Sequence, residues 1–458
     1  MPDGSAPVPG THRQDRPNWW YDTGLRRTAA LTPGWRLYDE VHRHTQYDTE
    51  RRAGLQRRRL ATVLDAASRT GARRVRLTPS GDPLAELSGW PVMPKRRFVA
   101  ELDRLRTDLV DPADVLRIRT SGRTGDPVVV DHEEQLLVEN MANQLRTFAA
   151  YDLRPGMRFL RVSCDPRHQM VSFVAHPAHP GTVQLTLNVA RLDAANAAFV
   201  GRLCQEFAPD AVWGPPMEQL VTACRIRSGL LPDLDVRVVL TFGDRLTAAT
   251  RQVLASVHGA PVHDLYSLDE FGPLAWECPQ APGTYHVNEE RVLLERDDDG
   301  ALVMTNLINR AMAIIRYRPE DHARIVEAPC PCGRTLLRIT DIVGRQRGLL
   351  IDRDGVPLAV EPLELCLDRL PLRHWRISQD EPGVVSAEIV PGSGADPADL
   401  RAIVDRKLYE LFNLKASAVR LARPDDFGFG PDEPAQNFQF RLFTTQDRAV
   451  ERFRAALG

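Results

Sequence analysis

Residues 236–272 read VRVVLTFGDRLTAATRQVLASVHGAPVHDLYSLDEFG, and this stretch decides the fold class. Val236–Phe242 and Val262–Tyr266 have the length and apolar composition of buried strands, and Ala248–Val257 between them has helical spacing. A strand, a helix and a second strand in this order predict a parallel pair joined by a crossover helix. The middle of the chain continues the alternation with two more predicted helices, Ala195–Phe207 and Pro216–Arg227. We therefore predict an α/β fold in which helices cover largely parallel sheets.

The flanking segments differ from this central pattern. Upstream, helical spacing predicts Gly54–Ala67 and Phe98–Leu109 as helices, and Asp131 is predicted to cap a helix that follows the strand-like Val128–Val130. Downstream, the predicted elements are strand Val384–Val390, helix Pro397–Phe412, and strands Ala418–Leu421 and Phe438–Phe443. Because 458 residues exceed one compact core, we predict two domains. They are a large N-terminal domain at residues 1–345 and a small, mobile α+β domain at residues 346–458.

Composition excludes several classes of protein. The formal net charge is −2, so nothing indicates a nucleic-acid-binding surface. The chain has no run of 18 apolar residues and no apolar leader, so we expect neither a membrane span nor export. Seven cysteines without an export signal argue against a disulfide framework, and we expect a cytoplasmic protein. Positive charge is almost all arginine, and the lysines are Lys95, Lys407 and Lys415.

The segment Thr120-Ser-Gly-Arg-Thr-Gly-Asp-Pro127 has the composition of an anion-binding loop. Gly122 and Gly125 carry no Cβ, so backbone N–H groups there can approach a phosphate closely. Ser121 and Thr124 add hydroxyl donors. The same composition also fits an ordinary turn between strands, and both interpretations stay open on this segment alone.

Two later segments carry further polar groups at predicted strand ends. In Asp264-Leu-Tyr-Ser-Leu-Asp-Glu-Phe-Gly272, Tyr266 is able to stack on a purine and Glu270 to bind Mg²⁺ beside phosphates. In Ile314-Ile-Arg-Tyr-Arg-Pro-Glu-Asp321, the final carboxylate is placed to accept both hydroxyls of a ribose. A solvated acidic loop and an exposed charged turn are the alternatives for these two segments.

Three cysteines and one histidine form a candidate zinc site, Cys278, His286, Cys330 and Cys332. Three thiolates and one imidazole complete a tetrahedral set and leave no open position for water, so we predict a structural zinc ion. The alternative is that these are free buried thiols, which is the assignment that we give to Cys164, Cys204, Cys224 and Cys366.

The order and spacing of these motifs resemble those of the phenylacetate–CoA ligases, within the adenylate-forming superfamily. The similarity is dense between about Ile118 and Ile351. It is carried by the 120–127 loop, Tyr266…Glu270, Glu277-Cys-Pro279, Gly283-Thr-Tyr-His-Val-Asn-Glu289, Ile315-Arg-Tyr-Arg-Pro-Glu-Asp321, Cys330-Pro-Cys-Gly-Arg-Thr335 and Ile342-Val-Gly-Arg345.

The resemblance implies a role for particular residues. It implies that the loop Thr120, Ser121, Gly122, Arg123, Thr124 and Gly125 holds the ATP phosphates. Gly243 and Asp244 would lie beside adenine, and Tyr266, followed by Ser267, would stack on that ring. Glu270 would bind Mg²⁺ and Asp321 the ribose hydroxyls. Arg345 would open the hinge about which the C-terminal domain rotates.

Three departures from the family pattern qualify these roles. The phosphate loop has Arg123 where relatives carry a small or hydroxyl residue, and Asp126 where many have lysine. Ser267 replaces a glycine, and the adenine segment reads Gly-Asp-Arg from Gly243. The third departure is a missing lysine, which adenylate-forming enzymes place near the C-terminus. The matching stretch, Pro434–Arg441, contains none, and Arg441 is the remaining candidate to stabilise the reacting carboxylate and α-phosphate.

The sequence therefore predicts ATP- and Mg²⁺-dependent adenylation of a small acid, aromatic or otherwise planar, with release of pyrophosphate. The activated group then passes to a nucleophilic acceptor, which is CoA in most relatives. One alternative is activation of nitrite for diazotisation of an aryl amine in specialised metabolism. Another is a non-catalytic nucleotide-binding relative. The resemblance also implies a homodimer.

Overall fold

A computed structural model gives the structure of the protein. The structure describes residues 33–70, 81–119, 129–133, 135–154, 156–164, 169–175, 182–297, 300–319, 321–343, 350–351, 353, 357–358, 363, 366–367, 370–392, 394–412, 414–423, 426 and 437–442. The α-helices of five or more residues in this part of the chain are α1 Pro33–Leu37, α2 Thr49–Ser68, α3 Pro83–Ser88, α4 Lys95–Ala100, α5 Gln135–Ala150, α6 Ala197–Phe207, α7 Pro216–Arg227, α8 Ala248–His258 and α9 Pro397–Phe412. A π-helix at Tyr38–His42 and a single α-helical turn at Arg43–Thr45 follow α1.

The first strands are β1 Met93–Pro94, β2 Val115–Arg119, β3 Val129–Glu133, β4 Arg158–Ser163, β5 Val171–Ala175, β6 Val183–Asn188, β7 Ala211–Gly214, β8 Val238–Phe242, β9 Val262–Leu268, β10 Gly272–Cys278 and β11 Ala281–Val287. The later strands are β12 Val292–Arg296, β13 Leu302–Asn306, β14 Tyr317–Arg318, β15 His322–Val326, β16 Arg338–Val343, β17 Leu350–Ile351, β18 Pro357–Leu358, β19 Leu372–Glu381, β20 Val384–Pro391, β21 Lys415–Leu421 and β22 Asn437–Leu442.

A ten-stranded mixed sheet forms the centre of the fold. Its strand order is β15-β16-β11-β10-β9-β8-β7-β4-β6-β5. The run from β6 to β9 is parallel, as the alternation of strands and helices predicts. The strands β10, β11, β16 and β15 and the edge strand β5 add antiparallel pairs, so the sheet is mixed rather than largely parallel. The α/β class predicted from the sequence is confirmed.

The main core lies between the parallel strands and the helices α6, α7 and α8. Strand β4 is buried along nearly its whole length, as expected for a strand covered on both faces. Helix α8 begins where Thr247 accepts a hydrogen bond from the backbone N–H of Thr250, and it ends at Gly259 in the left-handed conformation. The largest cluster of buried apolar side chains joins these elements, for example Leu160, Leu187, Val200, Leu220, Val239 and Leu254.

Two smaller sheets accompany the central one. Strands β1, β14, β13 and β12 form a four-stranded sheet, and β2 pairs with β3 as an antiparallel hairpin. The C-terminal strands form a separate sheet in the order β21-β20-β19-β22, with its own apolar cluster packed against α9. The predicted domain boundary at residues 345 and 346 lies outside the described residues and stays a prediction. Within the described part, no helix is long and apolar enough to cross a membrane.

Two predicted elements are wrong in extent. The helix predicted over Phe98–Leu109 ends at Ala100, and a tight 3₁₀ turn at Leu102–Leu105 leads to an extended Arg106. Asp131 does not cap a helix, because it lies inside β3 and its carboxylate contacts Arg106 at 2.9 Å and Arg117 at 3.5 Å. The next helix, α5, begins at Gln135 instead.

Candidate active site and metal centre

The carboxyl ends of β8 and β9 bring two predicted nucleotide-binding segments together. These strands are parallel, and Phe242 pairs with Leu265. The residues that follow directly, Gly243 on one side and Tyr266 on the other, therefore adjoin at the same edge of the sheet. Gly243 has a φ of +85°, in the left-handed region that favours glycine, and it turns the chain sharply after β8. Asp244 and Ser267 extend the two segments.

Tyr266 and Asp321 are in direct contact at this edge. The hydroxyl of Tyr266 donates a hydrogen bond to Oδ2 of Asp321 across 2.6 Å. Asp321 is 7% exposed. Burial, together with the negative charge of Asp321, raises the pKa of Tyr266 well above its usual range, so the hydroxyl stays protonated and remains a donor.

Glu270 lies close to this pair, in the turn between β9 and β10. Its side chain is 8% exposed, and Oε1 accepts a hydrogen bond from the hydroxyl of Tyr317 at 3.1 Å. Tyr266 packs against the same apolar cluster as Tyr317 and Phe271, the residue after Glu270, so these groups share one region. Sequence analysis grouped Tyr266, Glu270 and Asp321, and the fold brings all three together.

The predicted phosphate loop lies in the chain between β2 and β3, which pair as an antiparallel hairpin. Arg119 pairs with Val129, and residues 120–128 between them lie outside the described residues. The base of the hairpin is attached beside Glu270, because Nε2 of His132 lies 3.1 Å from the carbonyl oxygen of Asp269. Burial lowers the pKa of His132 to about 4, so its ring is neutral at physiological pH and Nε2 is able to donate.

The remaining predicted site residues have no described side-chain environment. Those outside the described residues are Thr120, Ser121, Gly122, Arg123, Thr124, Gly125 and Arg345. Arg441 lies in β22, where its backbone pairs with Ser378 of β19, but its side chain is outside the described part. The roles assigned to these residues stay predictions.

The candidate metal ligands converge on one point. The ligand atoms of Cys278, His286, Cys330 and Cys332 all lie within 4.8 Å of one another. The Sγ of Cys330 lies 3.6 Å from that of Cys278 and 3.3 Å from that of Cys332. Nε2 of His286 lies 3.5 Å from the sulfur of Cys330 and 3.2 Å from that of Cys332. Tetrahedral zinc with ordinary bond lengths has edges of about 3.8 Å between sulfurs and about 3.6 Å between sulfur and nitrogen. The donor set therefore fits zinc.

The elements around the cluster hold the histidine in place. The ring of Trp276 lies 4.8 Å from the ring of His286, centroid to centroid. The guanidinium of Arg334 lies over the ring of Trp276 at 5.1 Å and over that of Tyr47 at 5.7 Å. Burial and the neighbouring arginines, Arg334 foremost, lower the pKa of His286 to about 3, so the imidazole is neutral as a metal ligand must be.

A buried polar network connects the cluster with the nucleotide edge. Asp264, in β9, accepts hydrogen bonds from the hydroxyls of Thr241 at 2.5 Å and Tyr285 at 2.9 Å. Its backbone N–H donates to Glu277 at 2.9 Å, and Glu277 also pairs with Arg251. Burial raises the pKa of Asp264 to about 7. The network therefore ties β9 to the hairpin of β10 and β11, which carries Cys278 and His286.

Sequence analysis missed Tyr317 and His132 as partners of the Asp269–Glu270 turn. Tyr317 lies inside the quoted motif Ile315–Asp321, so its position was visible, but nothing in the sequence indicated which carboxylate it contacts. His132 follows the predicted phosphate loop on a strand that was taken for a helix start. The last four residues of β3 are all buried, so its sequence carries no period-two pattern that would have indicated the strand.

Comparison with known proteins agrees with the motifs. The phenylacetate–coenzyme A ligase of Thermus thermophilus is 27% identical over 287 residues, which cover 58% of this chain and 62% of the relative. The ligase of the same name from Aromatoleum evansii is 27% identical over 260 residues, covering 51% and 58% respectively. The one from Escherichia coli is 26% identical over 277 residues, covering 56% and 61%. The chain is similar to the phenylacetate–CoA ligases over this part of its length.

Solved structures show the fold of this chain. A structure of 2-hydroxyisobutyryl-CoA ligase in complex with 2-HIB-AMP and CoA superposes with a TM-score of 0.59 at 17% identity, covering 90% of this chain and 92% of that one. A second structure of the same ligase, in the postadenylation state, gives 0.53 at 16% identity, with 93% and 96% covered. The fold is that of the adenylate-forming enzymes. No protein-family model matches the chain, and the curated relatives are matched over about three fifths of their length.

Proposed function

We propose that this protein is an ATP- and Mg²⁺-dependent adenylate-forming ligase. A carboxylate oxygen of a small acid attacks the α-phosphorus of ATP, and the bond to the β-phosphate breaks as pyrophosphate leaves. An acceptor then attacks the carbonyl carbon of the acyl-AMP, and AMP leaves. The observation that carries the proposal is the 2.6 Å hydrogen bond between Tyr266 and Asp321, with Glu270 in the neighbouring turn.

That hydrogen bond supports a nucleoside site because base and ribose are covalent neighbours. A ring that stacks on adenine must lie beside the group that binds the ribose hydroxyls, and Tyr266 and Asp321 lie side by side. The carboxylate of Asp321 is able to accept from both ribose hydroxyls while it accepts from Tyr266, because its two oxygens offer about four acceptor positions. Gly243, which has no side chain, leaves room for a planar ring at the same edge.

Glu270 is proposed to bind the magnesium ion, and the loop 120–127 to bind the phosphates. Carboxylate oxygen is a preferred ligand of Mg²⁺, which in turn neutralises phosphate charge when bound. The contact between His132 and the carbonyl of Asp269 supports this arrangement, because it attaches the hairpin that carries the loop beside Glu270. Arg123 and Arg441 are proposed to supply positive charge to the phosphates and to the reacting carboxylate.

An aromatic cluster supports an aromatic or planar acid as the substrate. The ring of Trp213 lies 5.6 Å from that of Phe242 and 6.0 Å from that of Phe159. Phe242 directly precedes Gly243 at the carboxyl end of β8, so the cluster approaches the nucleotide edge. We propose CoA as the acceptor. The curated relatives are named as CoA ligases, and 2-hydroxyisobutyryl-CoA ligase, which has a similar fold, was solved in complex with CoA.

The cluster of Cys278, His286, Cys330 and Cys332 is proposed to bind a structural zinc ion. Four protein ligands close a tetrahedral site, so no position remains for a substrate or a reactive water. The ion would crosslink the β10–β11 hairpin to the loop at Cys330, which are separated by 44 to 52 residues in sequence.

Acid-dependent release of pyrophosphate tests the enzymatic proposal. Purified protein with ATP and Mg²⁺ is assayed against aromatic acids, aliphatic acids and nitrite, each with and without CoA or an aryl amine. We expect release with an aromatic acid and consumption of the CoA thiol in the same reaction. Release with nitrite that requires an aryl amine would replace the proposed function with diazotisation. ATP binding without release for any acid would identify a nucleotide-binding protein instead.

A further inference from the structure

Tyr317 is held rigidly beneath the acidic turn at Glu270. Its side chain is 1% exposed, and its ring packs against Phe98 at 4.7 Å and Phe271 at 6.1 Å between centroids. Its backbone pairs with Met93 of β1 and Met304 of β13, so both sides of the short strand β14 are occupied. A ring packed in this way has one orientation available, and its hydroxyl is directed at Oε1 of Glu270.

The backbone of the same turn is fixed independently of Tyr317. His132 contacts the carbonyl oxygen of Asp269 at 3.1 Å, and Nη2 of Arg291 donates to the carbonyl of Phe271 at 2.5 Å. Gly272 closes the turn with a φ of +74°. These contacts hold the main chain of residues 269–272, but they do not determine the rotamer of the Glu270 side chain. The hydroxyl of Tyr317 acts on that side chain itself.

The chemistry of the donor is suited to a carboxylate that must still bind a cation. A guanidinium or ammonium group at the same place would orient the carboxylate but would also compete with Mg²⁺ for its negative charge. A tyrosine hydroxyl is a neutral donor, so it restricts the rotamer and leaves the charge of the carboxylate intact. It also occupies only part of the acceptor capacity of the two oxygens.

We propose that Tyr317 is a positioning residue whose hydroxyl fixes the carboxylate of Glu270 in the orientation that binds the Mg²⁺ of the nucleotide complex. The inference rests on the proposed function, because it takes Glu270 as the metal-binding carboxylate. Partners that orient ligating carboxylates typically change metal affinity about 10- to 100-fold when they are removed. We therefore expect loss of this hydroxyl to raise the metal concentration that ATP binding requires. The reaction rate with the metal bound should not change.

The test compares two variants that each remove one buried tyrosine hydroxyl. Tyr317→Phe removes the donor to Glu270, and Tyr285→Phe removes a donor to Asp264, a carboxylate outside the proposed metal site. Mn²⁺-dependent binding of ATP is titrated without any acid, by electron paramagnetic resonance of free Mn²⁺, at 10 °C. Near-UV circular dichroism measures the fraction of each variant that is folded. The ATP affinity is then expressed per folded molecule, so a partly unfolded variant is still informative.

We expect Tyr317→Phe to raise the Mn²⁺ concentration for half-maximal ATP binding by about tenfold, and Tyr285→Phe to change it less than about twofold. In the pyrophosphate assay, saturating Mg²⁺ should restore the turnover of Tyr317→Phe. Equal metal requirements for the two variants, or a Tyr317→Phe defect that saturating metal does not restore, would overturn the inference and leave the proposed function standing. Absence of metal-dependent ATP binding in the wild-type protein would overturn both.

Discussion

The hydroxyl of Tyr266 lies 2.6 Å from Oδ2 of Asp321, although 55 residues separate the two in the chain. Tyr317 and Glu270 form a second hydrogen-bonded pair of this kind, and 47 residues separate them in the chain. In both pairs a tyrosine hydroxyl donates to a largely buried carboxylate. Each tyrosine donates a hydrogen bond to its carboxylate without adding positive charge. The carboxylates of Asp321 and Glu270 therefore keep the negative charge that the proposed ribose and Mg²⁺ contacts require.

Asp264 should make folding stability depend on pH. Burial raises its pKa to about 7 in the folded protein, against about 4 for an unfolded chain. The neutral form is therefore favoured by folding, so the contribution is fully present below pH 4 and is lost as the pH rises towards 7. We expect Asp264→Asn, which cannot ionise, to gain several degrees in melting temperature relative to wild type between pH 5 and pH 8.

Asp341→Asn is the control for this prediction, because Asp341 is an exposed carboxylate paired with Arg324. Its melting temperature should follow that of the wild-type protein at both pH values. A constant difference between Asp264→Asn and wild type across the range would show that Asp264 is ionised in the folded protein.

Cys332 is expected to be required for binding of zinc. Its Sγ lies 3.2 Å from Nε2 of His286 and 3.3 Å from Sγ of Cys330. We expect Cys332→Ser to lose most of the bound zinc, measured by inductively coupled plasma mass spectrometry after gel filtration. Cys366→Ser, which changes another half-buried cysteine, should retain one equivalent. Zinc-free wild-type protein, even after refolding with excess zinc, would contradict the metal assignment.

At the scale of elements, the loop that follows Cys332 is joined to the N-terminal helices. Arg52, in α2, donates to the carbonyl oxygens of Thr45 at 2.6 Å and Thr335 at 2.7 Å, and it pairs with Glu289 at 3.0 Å. The backbone N–H of Thr335 donates to the carbonyl of Gln46. The loop that follows Cys332 and the segment at residues 45–52 therefore stabilise each other's position.

Removal of Arg52 should detach this segment. Breaking a buried ion pair leaves a charge without its partner and costs about 3–5 kcal/mol, so we expect Arg52→Ala to lower the melting temperature and expose α2 to limited proteolysis. Arg57→Ala is the control on the same helix. Arg57 is half-exposed and lies 3.9 Å from Asp82, a contact worth about 0–1 kcal/mol. Equal stability of the two variants would contradict this role of Arg52.

A second buried network connects α5 with the segment after β11. Arg146 and Glu290 form an ion pair at 2.8 Å, and both side chains are fully buried. Arg146 also donates to Asn288 at 2.5 Å, and Thr45 donates to Glu290 at 2.5 Å. Because of the Arg146 guanidinium, the pKa of Glu290 lies below its usual range in spite of burial. The network joins three distant parts of the chain.

At the scale of the whole molecule, elements with a local sequence signal could be predicted. Contacts between residues that are distant in the chain could not. The bounds of Pro216–Arg227 and Pro397–Phe412 are as predicted, because proline fits the first turn of a helix and apolar spacing continues to its end. Asp131 was misassigned, since its partners Arg106 and Arg117 come from other elements and no local pattern indicates them.

The candidate site was predictable to a similar extent. Tyr266, Glu270 and Asp321 were grouped from motif order, and the four candidate metal ligands from their residue types. Tyr317, His132 and Asp264 were not singled out, because their importance depends on which carboxylate or carbonyl they contact after folding. Those contacts are made by strands that are adjacent in the sheet and distant in sequence.

Binding of ATP to the purified protein tests the central claim most directly. Isothermal titration calorimetry with Mg²⁺, without any acid, is carried out on the wild-type protein, on Asp321→Asn and on Asp297→Asn. Asp297 is a partly exposed carboxylate that lies 3.6 Å from Arg318 and belongs to no proposed contact with nucleotide. The account predicts binding to the wild-type protein at one site, affinity reduced at least about tenfold in Asp321→Asn through loss of charge-assisted hydrogen bonds to the ribose, and unchanged affinity in Asp297→Asn. Absence of ATP binding in the wild-type protein, or equal affinity in all three proteins, would contradict it.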